Sequence, residues 1–259
     1  MTVQQALERC AIDAREARLL LASASGFSQA AVLAFQEREL PQSVEQSFFD
    51  LIARRKRGEP IAYILGHKEF YGLELAVNPA VLIPRPETEL LVELALERTP
   101  SSVLDLGTGS GAVALAIKKS CPNAKVVAVE ASAAALEVAK RNAVKHGLEV
   151  DFRHGRWFDG IDEKFDLIVA NPPYVAEGDP HLKDLAFEPR EALVAGADGL
   201  DAIRQIAAQA PRYIAEGGWI FIEHAQGQDV AVRQLLAGLE EVRTWPDLAG
   251  IPRVTGGRR

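Results

Sequence analysis

The sequence predicts an α/β protein in which a parallel sheet, covered by helices on both faces, follows a small all-helical unit. Three observations predict it. After Pro100, short apolar runs alternate with helical patterns, the order that builds a parallel sheet. From the start to about Arg57 the pattern is helical. Between the two lies a stretch that alternates around a glycine, as a hairpin does.

In the helical part, residues 14–24 set Leu19-Leu20-Leu21 among alanines and arginines, with Gly26 as the stop. Residues 44–57 repeat the scheme. Ser43 is the expected cap, Val44, Phe48, Leu51 and Ile52 share one face, and Gly58 follows. The hairpin is expected over residues 69–77, around Gly72. Next comes Pro84-Arg85-Pro86-Glu87-Thr88-Glu89. Pro86 suits a first helical turn, and Glu87 and Glu89 suit the positive end of a dipole that runs to about Arg98. Strands are predicted at 102–106, 125–130, 150–153, 165–170 and 219–223, with helices at 112–119, 133–146 and 199–215. The organisation expected is a helical bundle over residues 1–60, a hairpin linker over 61–80 and a sheet domain over 81–259.

With 48% hydrophobic and 25% charged residues, the chain has the balance of a soluble globular protein. No apolar run approaches the length of a membrane span, and Met1-Thr2-Val3-Gln4-Gln5 lacks a signal-peptide pattern. Cys10 and Cys121 offer neither a disulfide framework nor metal spacing, so a reducing, cytoplasmic setting is expected, with no metal and no membrane partner. A net charge of -7 argues against a protein that grips nucleic acid through its phosphates. The one dense basic cluster, Arg54-Arg55-Lys56-Arg57, reads as a solvated helix end, where cations suit the dipole. It would also serve as a docking patch for an acidic partner.

Two stretches carry the chemistry. Asn171-Pro172-Pro173-Tyr174 follows the apolar run Phe165-Asp166-Leu167-Ile168-Val169-Ala170. Proline cannot extend the ladder, so the strand stops there and Asn171 is held at its carboxyl end. That is the edge at which open parallel sheets bind ligands. Taken alone, Asn-Pro is also a common turn opener. The second stretch, Asp105-Leu106-Gly107-Thr108-Gly109-Ser110-Gly111, joins the first strand to its helix, with glycines that allow a tight turn and a close ligand. Glu130 closes the next strand, where an acid takes ribose hydroxyls. This is a nucleotide-type site. Gly107, Gly109 and Ala112 also satisfy the dinucleotide fingerprint, which keeps NAD and an oxidoreductase in play, although no residues specific to hydride handling are present. Asp105 ahead of the glycines, together with Asn-Pro-Pro-Tyr, matches instead the S-adenosylmethionine (SAM) methyltransferases that act on planar nitrogens.

With these motifs assembled, the chain resembles the HemK/PrmC-type methyltransferases of peptide chain release factors. The resemblance covers nearly the whole length. It rests on Gly66-His67-Lys68-Glu69-Phe70-Tyr71-Gly72, Pro84 to Glu89, Asp105 to Gly111, Asn171 to Tyr174, Phe187-Glu188-Pro189 and Arg253-Val254-Thr255. It implies a Rossmann-like, class I SAM-dependent fold and methylation of the glutamine amide nitrogen (N5) in the Gly-Gly-Gln loop of class I release factors. It further implies that Asp105, Leu106, Gly107, Thr108 and Gly109 hold the methionine part of SAM, Glu130 the ribose, and that Trp157 lies at the adenine. Asn171, Pro172, Pro173 and Tyr174 would hold the substrate glutamine, with Asn171 also near the cofactor. The N-terminal bundle is expected to dock the release factor, since reading one amide in a large partner calls for a second contact, and a monomer without direct nucleic-acid contact is expected. Two positions depart from the pattern: Arg156 stands where the family often has Asp, and Gly256 where a larger apolar residue is common.

An amide nitrogen is a poor nucleophile because its lone pair is delocalised. The expected remedy is that the Asn171 side-chain oxygen and the Pro172 carbonyl each accept one of its N–H bonds, while Tyr174 stacks on the planar group. Alignment for direct displacement contributes on the order of 7 kcal/mol at best. The alternative substrate, given the same tetrapeptide, is the adenine N6 of DNA or RNA. Glu87, Thr88 and Glu188 are accounted for by helix-start chemistry and local ordering and are left out of the site.

Overall fold

A computed structural model describes every residue from Met1 to Arg259. The chain divides into two compact units, Met1–His67 and Lys68–Arg259.

The first unit is helical: α1 (Val3–Arg9), α2 (Ala14–Ser25), α3 (Gln29–Ala34), α4 (Gln42–Lys56) and α5 (Ile61–Leu65). Thr2 and Gln5 form a reciprocal capping box, Asp13 and Ser28 cap α2 and α3, and Gly26 ends α2 in the left-handed region at φ 71°. Leu20, Leu21, Val32, Phe48 and Ile52 close a core against Val3 and Ala6. Two expectations are corrected. Ser43 does not cap α4; the helix begins two residues earlier, at Gln42 behind Pro41, whose carbonyl accepts from Val44 and Glu45. Residues 61–65, expected to open the linker, form α5, because Ile61, Ile64 and Leu65 find apolar partners in this core.

The hairpin pairs β1 (His67–Phe70) with β2 (Leu73–Ala76) across Tyr71 and Gly72, both at positive φ. A 3₁₀ turn over Pro86–Thr88 leads into α6 (Glu89–Glu97). The sheet then builds from β3 (Ser102–Leu106), α7 (Ala112–Ser120), β4 (Lys125–Glu130), α8 (Ala133–His146), β5 (Asp151–His154) and β6 (Phe165–Ala170). It is completed by α9 (Asp201–Gln209), β7 (Ile214–Glu223), α10 (Asp229–Leu235), β8 (Glu240–Pro246) and β9 (Pro252–Arg258). Strand order is β5-β4-β3-β6-β7-β9-β8. The first five are parallel, while β9 and β8 run antiparallel at one edge. The sheet is therefore mixed rather than wholly parallel.

The helix expected over residues 199–215 is shorter, because Pro211 breaks it into a 3₁₀ turn and β7 already starts at Ile214. Alternation along the strands feeds two cores. Val103, Val126, Ala128, Leu167, Val169 and Phe221 pack to one side. Leu104, Leu106, Val127, Val129, Ile168, Ile220 and Ile222 pack to the other. The chain runs outward from β3 through β4 and β5, then returns to β6 on β3's other flank. The point of reversal lies between β3 and β6, where such sheets bind ligands.

Candidate active site

At that reversal point the carboxyl ends of β3, β4 and β6 bring together Asp105, Glu130 and Asn171. One pocket is lined by these three and by Gly107, Thr108, Gly109, Trp157 and Pro173, with Arg85, Thr88 and Arg156 beside them. Register explains the convergence: Asp105 sits opposite Ala128 and Val169, so all three strands end at nearly one level.

Asp105 is 2% exposed and accepts from Thr108 Oγ1 at 2.7 Å. Burial pushes its carboxyl up to about 6. The Thr108 hydroxyl and the Ala114 backbone hold it down, and the nearby Glu130 charge pushes it up. Glu130 turns back over the loop and accepts from Gly109 N at 2.8 Å and Ser132 N at 2.8 Å. Gly107, at φ 75°, lies where an added Cβ would stand 3.3 Å from the Trp157 ring, so backbone conformation and close approach both require glycine. Trp157 itself adopts φ 52°, an uncommon state for a bulky residue, with its Nε1 donating to Gln205 Oε1 at 3.0 Å. The Arg156 guanidinium lies 5.6 Å from its ring centroid.

The backbone N–H groups of Gly107 and Thr108 donate to Val129 O, Gly109 N to Glu130, and Gly111 N to Thr108 O. A pyrophosphate would need such donors, and here they are taken, with a carboxylate laid across the loop. The acceptor set, two carboxylates and an amide oxygen, suits a ligand that brings hydroxyls and positive charge. The residues present fit SAM better than NAD.

Asn171 donates from Nδ2 to Thr88 Oγ1 at 3.1 Å, while its Oδ1 is buried with no partner. An unmet buried acceptor costs about 1–3 kcal/mol, so it calls for a donor from a bound molecule. Tyr174 donates to Glu223 Oε1 at 3.3 Å. Burial, followed by the Glu223 charge, pushes its phenol well above the ordinary value, so it remains a donor.

Three expected site residues do not line the pocket: Leu106, Pro172 and Tyr174, whose hydroxyl is turned to Glu223. Leu106 is fully buried in the core on the opposite face of β3 from Asp105, and Pro172 is also buried. Two residues that the sequence reading set aside, Thr88 and Glu188, and one it did not consider, Glu223, stand next to these groups. Thr88, 4% exposed, supports Asn171. Glu188, 7% exposed, accepts from Ile83 N at 3.0 Å and pairs with Arg85, fixing the Pro84-Arg85-Pro86 segment. Glu223, 1% exposed, ends β7 beside Tyr174. The signal available for Glu223 was a carboxylate closing the apolar run Trp219-Ile220-Phe221-Ile222.

Fold and pocket together define a methyltransferase, and residues 86–245 match the methyltransferase small domain family. The T. thermophilus 16S rRNA N2 G1207 methyltransferase in complex with AdoMet and guanosine shares the fold, with a TM-score of 0.56 at 22% identity over 74% of this chain and 49% of that one. Residues 2–66 match the PrmC N-terminal domain. The chain is 47% identical to a release factor glutamine methyltransferase of Neisseria gonorrhoeae over 100% of this chain and 98% of that one. It is 48% identical to one of Xylella fastidiosa over 95% and 94% respectively. The chain belongs to the release factor glutamine methyltransferase family. No helix in it is long and apolar enough to cross a membrane.

Proposed function

We propose that the protein transfers a methyl group from SAM to the side-chain amide nitrogen (N5) of the glutamine in the Gly-Gly-Gln motif of class I peptide chain release factors. The observation that carries this reading is the buried, unpartnered Oδ1 of Asn171 in a residue that lines the same pocket as Asp105 and Glu130. The names of the relatives support the substrate, and the AdoMet held by the rRNA enzyme of like fold supports the cofactor.

When bound, SAM supplies an electrophilic methyl group on its sulfonium. Asp105 and Glu130 bind and orient the molecule through its cationic and hydroxyl groups, and Trp157 borders the adenine. Asn171 Oδ1 and the Pro172 carbonyl accept the two N–H bonds of the substrate amide, which favours a pyramidal nitrogen and strengthens as positive charge develops there. Pro173 and the Tyr174 ring flank the planar group and exclude water. No base is needed beforehand, because the product loses its proton after transfer. The N-terminal helical unit docks the body of the release factor, a second contact for reading one amide in a large partner.

Incubation with methyl-labelled SAM and unmethylated release factor, followed by mass-spectrometric mapping, tests this. The expected result is one methyl on the Gly-Gly-Gln glutamine, lost in Asn171→Ala with SAM still bound. Label on an adenine-bearing oligonucleotide and none on the release factor would overturn the reading.

A further inference from the structure

Pro172 and Pro173 have no N–H to donate and add nothing to a sheet ladder, so what they present to the pocket depends on how the ends of their segment are held. At the first end, β6 stays in register with β3 and β7 as far as Ala170, and Asn171 reaches Thr88. At the second end, the peptide between Tyr174 and Val175 is gripped from both sides. Its N–H donates to Leu193 O at 2.8 Å, and its carbonyl accepts from Gln228 Nε2 at 3.1 Å. A Cβ at residue 199 would fall 2.2 Å from Tyr174 O and 2.8 Å from Gln228 Nε2. The two groups can therefore meet only because Gly199 has no side chain.

Gln228 occupies the N-cap position of α10, where Ser, Thr, Asn or Asp would ordinarily accept from the first helical N–H groups. Its side chain makes no such bond. Oε1 instead accepts from Ala225 N at 2.9 Å, and Nε2 donates to Asp198 O at 3.2 Å as well as to Tyr174 O. The orientation of this amide has one answer, because a backbone N–H can only donate and the two carbonyls can only accept. All of its hydrogen bonds go to neighbouring loops and none to its own helix. A local rule set aside in this way is expected where a site, and not the helix, decides the residue.

Resting on the function proposed above, we propose that Gln228 is a positioning residue for methyl transfer: by holding the Tyr174 carbonyl it fixes where the Pro172 carbonyl and the Pro173 ring stand against the substrate amide. Pro173 lines the pocket and Gln228 does not, so the effect travels through the backbone and leaves SAM untouched. Proline rings restrict φ at both intervening residues, so a turn of the Tyr174–Val175 peptide passes on toward Asn171 instead of being absorbed. A displacement of about 1 Å at reacting groups costs on the order of 100-fold in rate.

Gln228→Glu keeps the shape and the acceptor for Ala225 N, but sets an oxygen against the Tyr174 and Asp198 carbonyls. It should lower kcat on unmethylated release factor by roughly 10- to 100-fold, with KM within about twofold and SAM affinity by calorimetry unchanged. Gln228→Met, which neither donates nor repels, should fall between this variant and the parent. Gln228→Ser separates positioning from folding. It supplies α10 with the missing cap, so Tm should stay within about 3 °C of the parent while kcat still falls roughly tenfold. A kcat within about twofold of the parent in Gln228→Glu or Gln228→Ser would overturn the proposal. So would a loss of kcat matched by losses of SAM affinity and Tm, which would mark a general loosening of the fold. A parent enzyme that binds SAM and never labels the glutamine would instead overturn the functional reading, and this proposal with it.

Discussion

Asp105 keeps a carboxyl group where water does not reach, and its replacement by asparagine isolates what that arrangement costs. The folded-state value is about 6 against 3.8 for the free side chain, with burial as the first cause. A raised folded value means the contribution to stability is fully present below pH 3.8 and is lost as pH rises through 6. At neutral pH and above, a shift of about 2 units corresponds to roughly 3 kcal/mol of destabilisation in the ligand-free protein. At pH 5 about half of that has already developed, so about 1.4 kcal/mol more accrues between pH 5 and 7.5.

Asp105→Asn keeps the shape and an acceptor for Thr108 but cannot ionise. Whatever fixed penalty it carries, the difference in Tm between variant and parent should move in the variant's favour by about 3–6 °C between pH 5 and 7.5. All three tryptophans, Trp157, Trp219 and Trp245, lie in the second unit, so thermal melts followed by their fluorescence read the relevant unfolding. A gap that stays constant with pH would refute the reasoning. Saturating SAM supplies a second readout. It should raise the parent's Tm substantially and the variant's little, since a ligand stabilises in proportion to its affinity for the folded state.

Further outcomes follow from other parts of the molecule. Gly256→Ala should lower Tm with about 1–3 kcal/mol of overpacking, because its Cβ would fall 2.3 Å from Phe221 Cδ1; an unchanged melt would show that the ring moves aside freely. His224, fully buried, meets Ala225 O at 3.0 Å and Thr255 Oγ1 at 2.8 Å, and burial holds its value below 6.5. The depressed value makes this a stability contribution present above pH 6.5 and lost as pH falls. Nitrogen-detected NMR should find a neutral ring protonated on Nδ1, and titration at or above 6.5 would contradict it. Removing residues 1–67 should impair methylation of intact release factor more than of a short Gly-Gly-Gln peptide, and equal losses in the two assays would count against docking.

The strands and helices that build the site were legible in the sequence because they are short apolar runs bounded by punctuation. β3, β4, α8 and β6 end at Gly107, at Glu130 before a cap, at Gly147 and at Pro172, and their bounds agree with the reading. The antiparallel edge was not legible. β8 is a largely solvated ribbon of Glu240, Glu241, Arg243 and Thr244, and β9 carries Gly256-Gly257, so neither shows the apolar alternation of a strand. Gly256, a departure from the family pattern, is explained by Phe221, whose ring occupies the space a side chain would need. Motif reasoning found the residues that meet a ligand through loops and strand ends. It passed over Thr88, Glu188 and Glu223, whose roles depend on burial and on neighbours far away in the chain.

Four locally unfavourable features meet around the carboxyl ends of adjacent strands: a desolvated Asp105, a left-handed Trp157, an orphaned Asn171 Oδ1 and a buried Glu223. Each works against folding; single hydroxyls meet Asp105 and Glu223, while Asn171 Oδ1 has no protein partner at all. They persist because β3, β4, β6 and β7 are clamped between two continuous cores that leave their ends no freedom to relax. Their chemistry is also of one sign. Asp105, Glu223 and Asn171 Oδ1 all accept, and the N–H groups of Gly107, Thr108 and Gly109 in the neighbouring loop already have partners. A ligand rich in donors and positive charge relieves Asp105 and Asn171 together, so the same binding event that loads the site removes its largest instabilities. On this account, substitutions that stabilise the ligand-free protein at these positions should be the ones that weaken its hold on SAM and substrate.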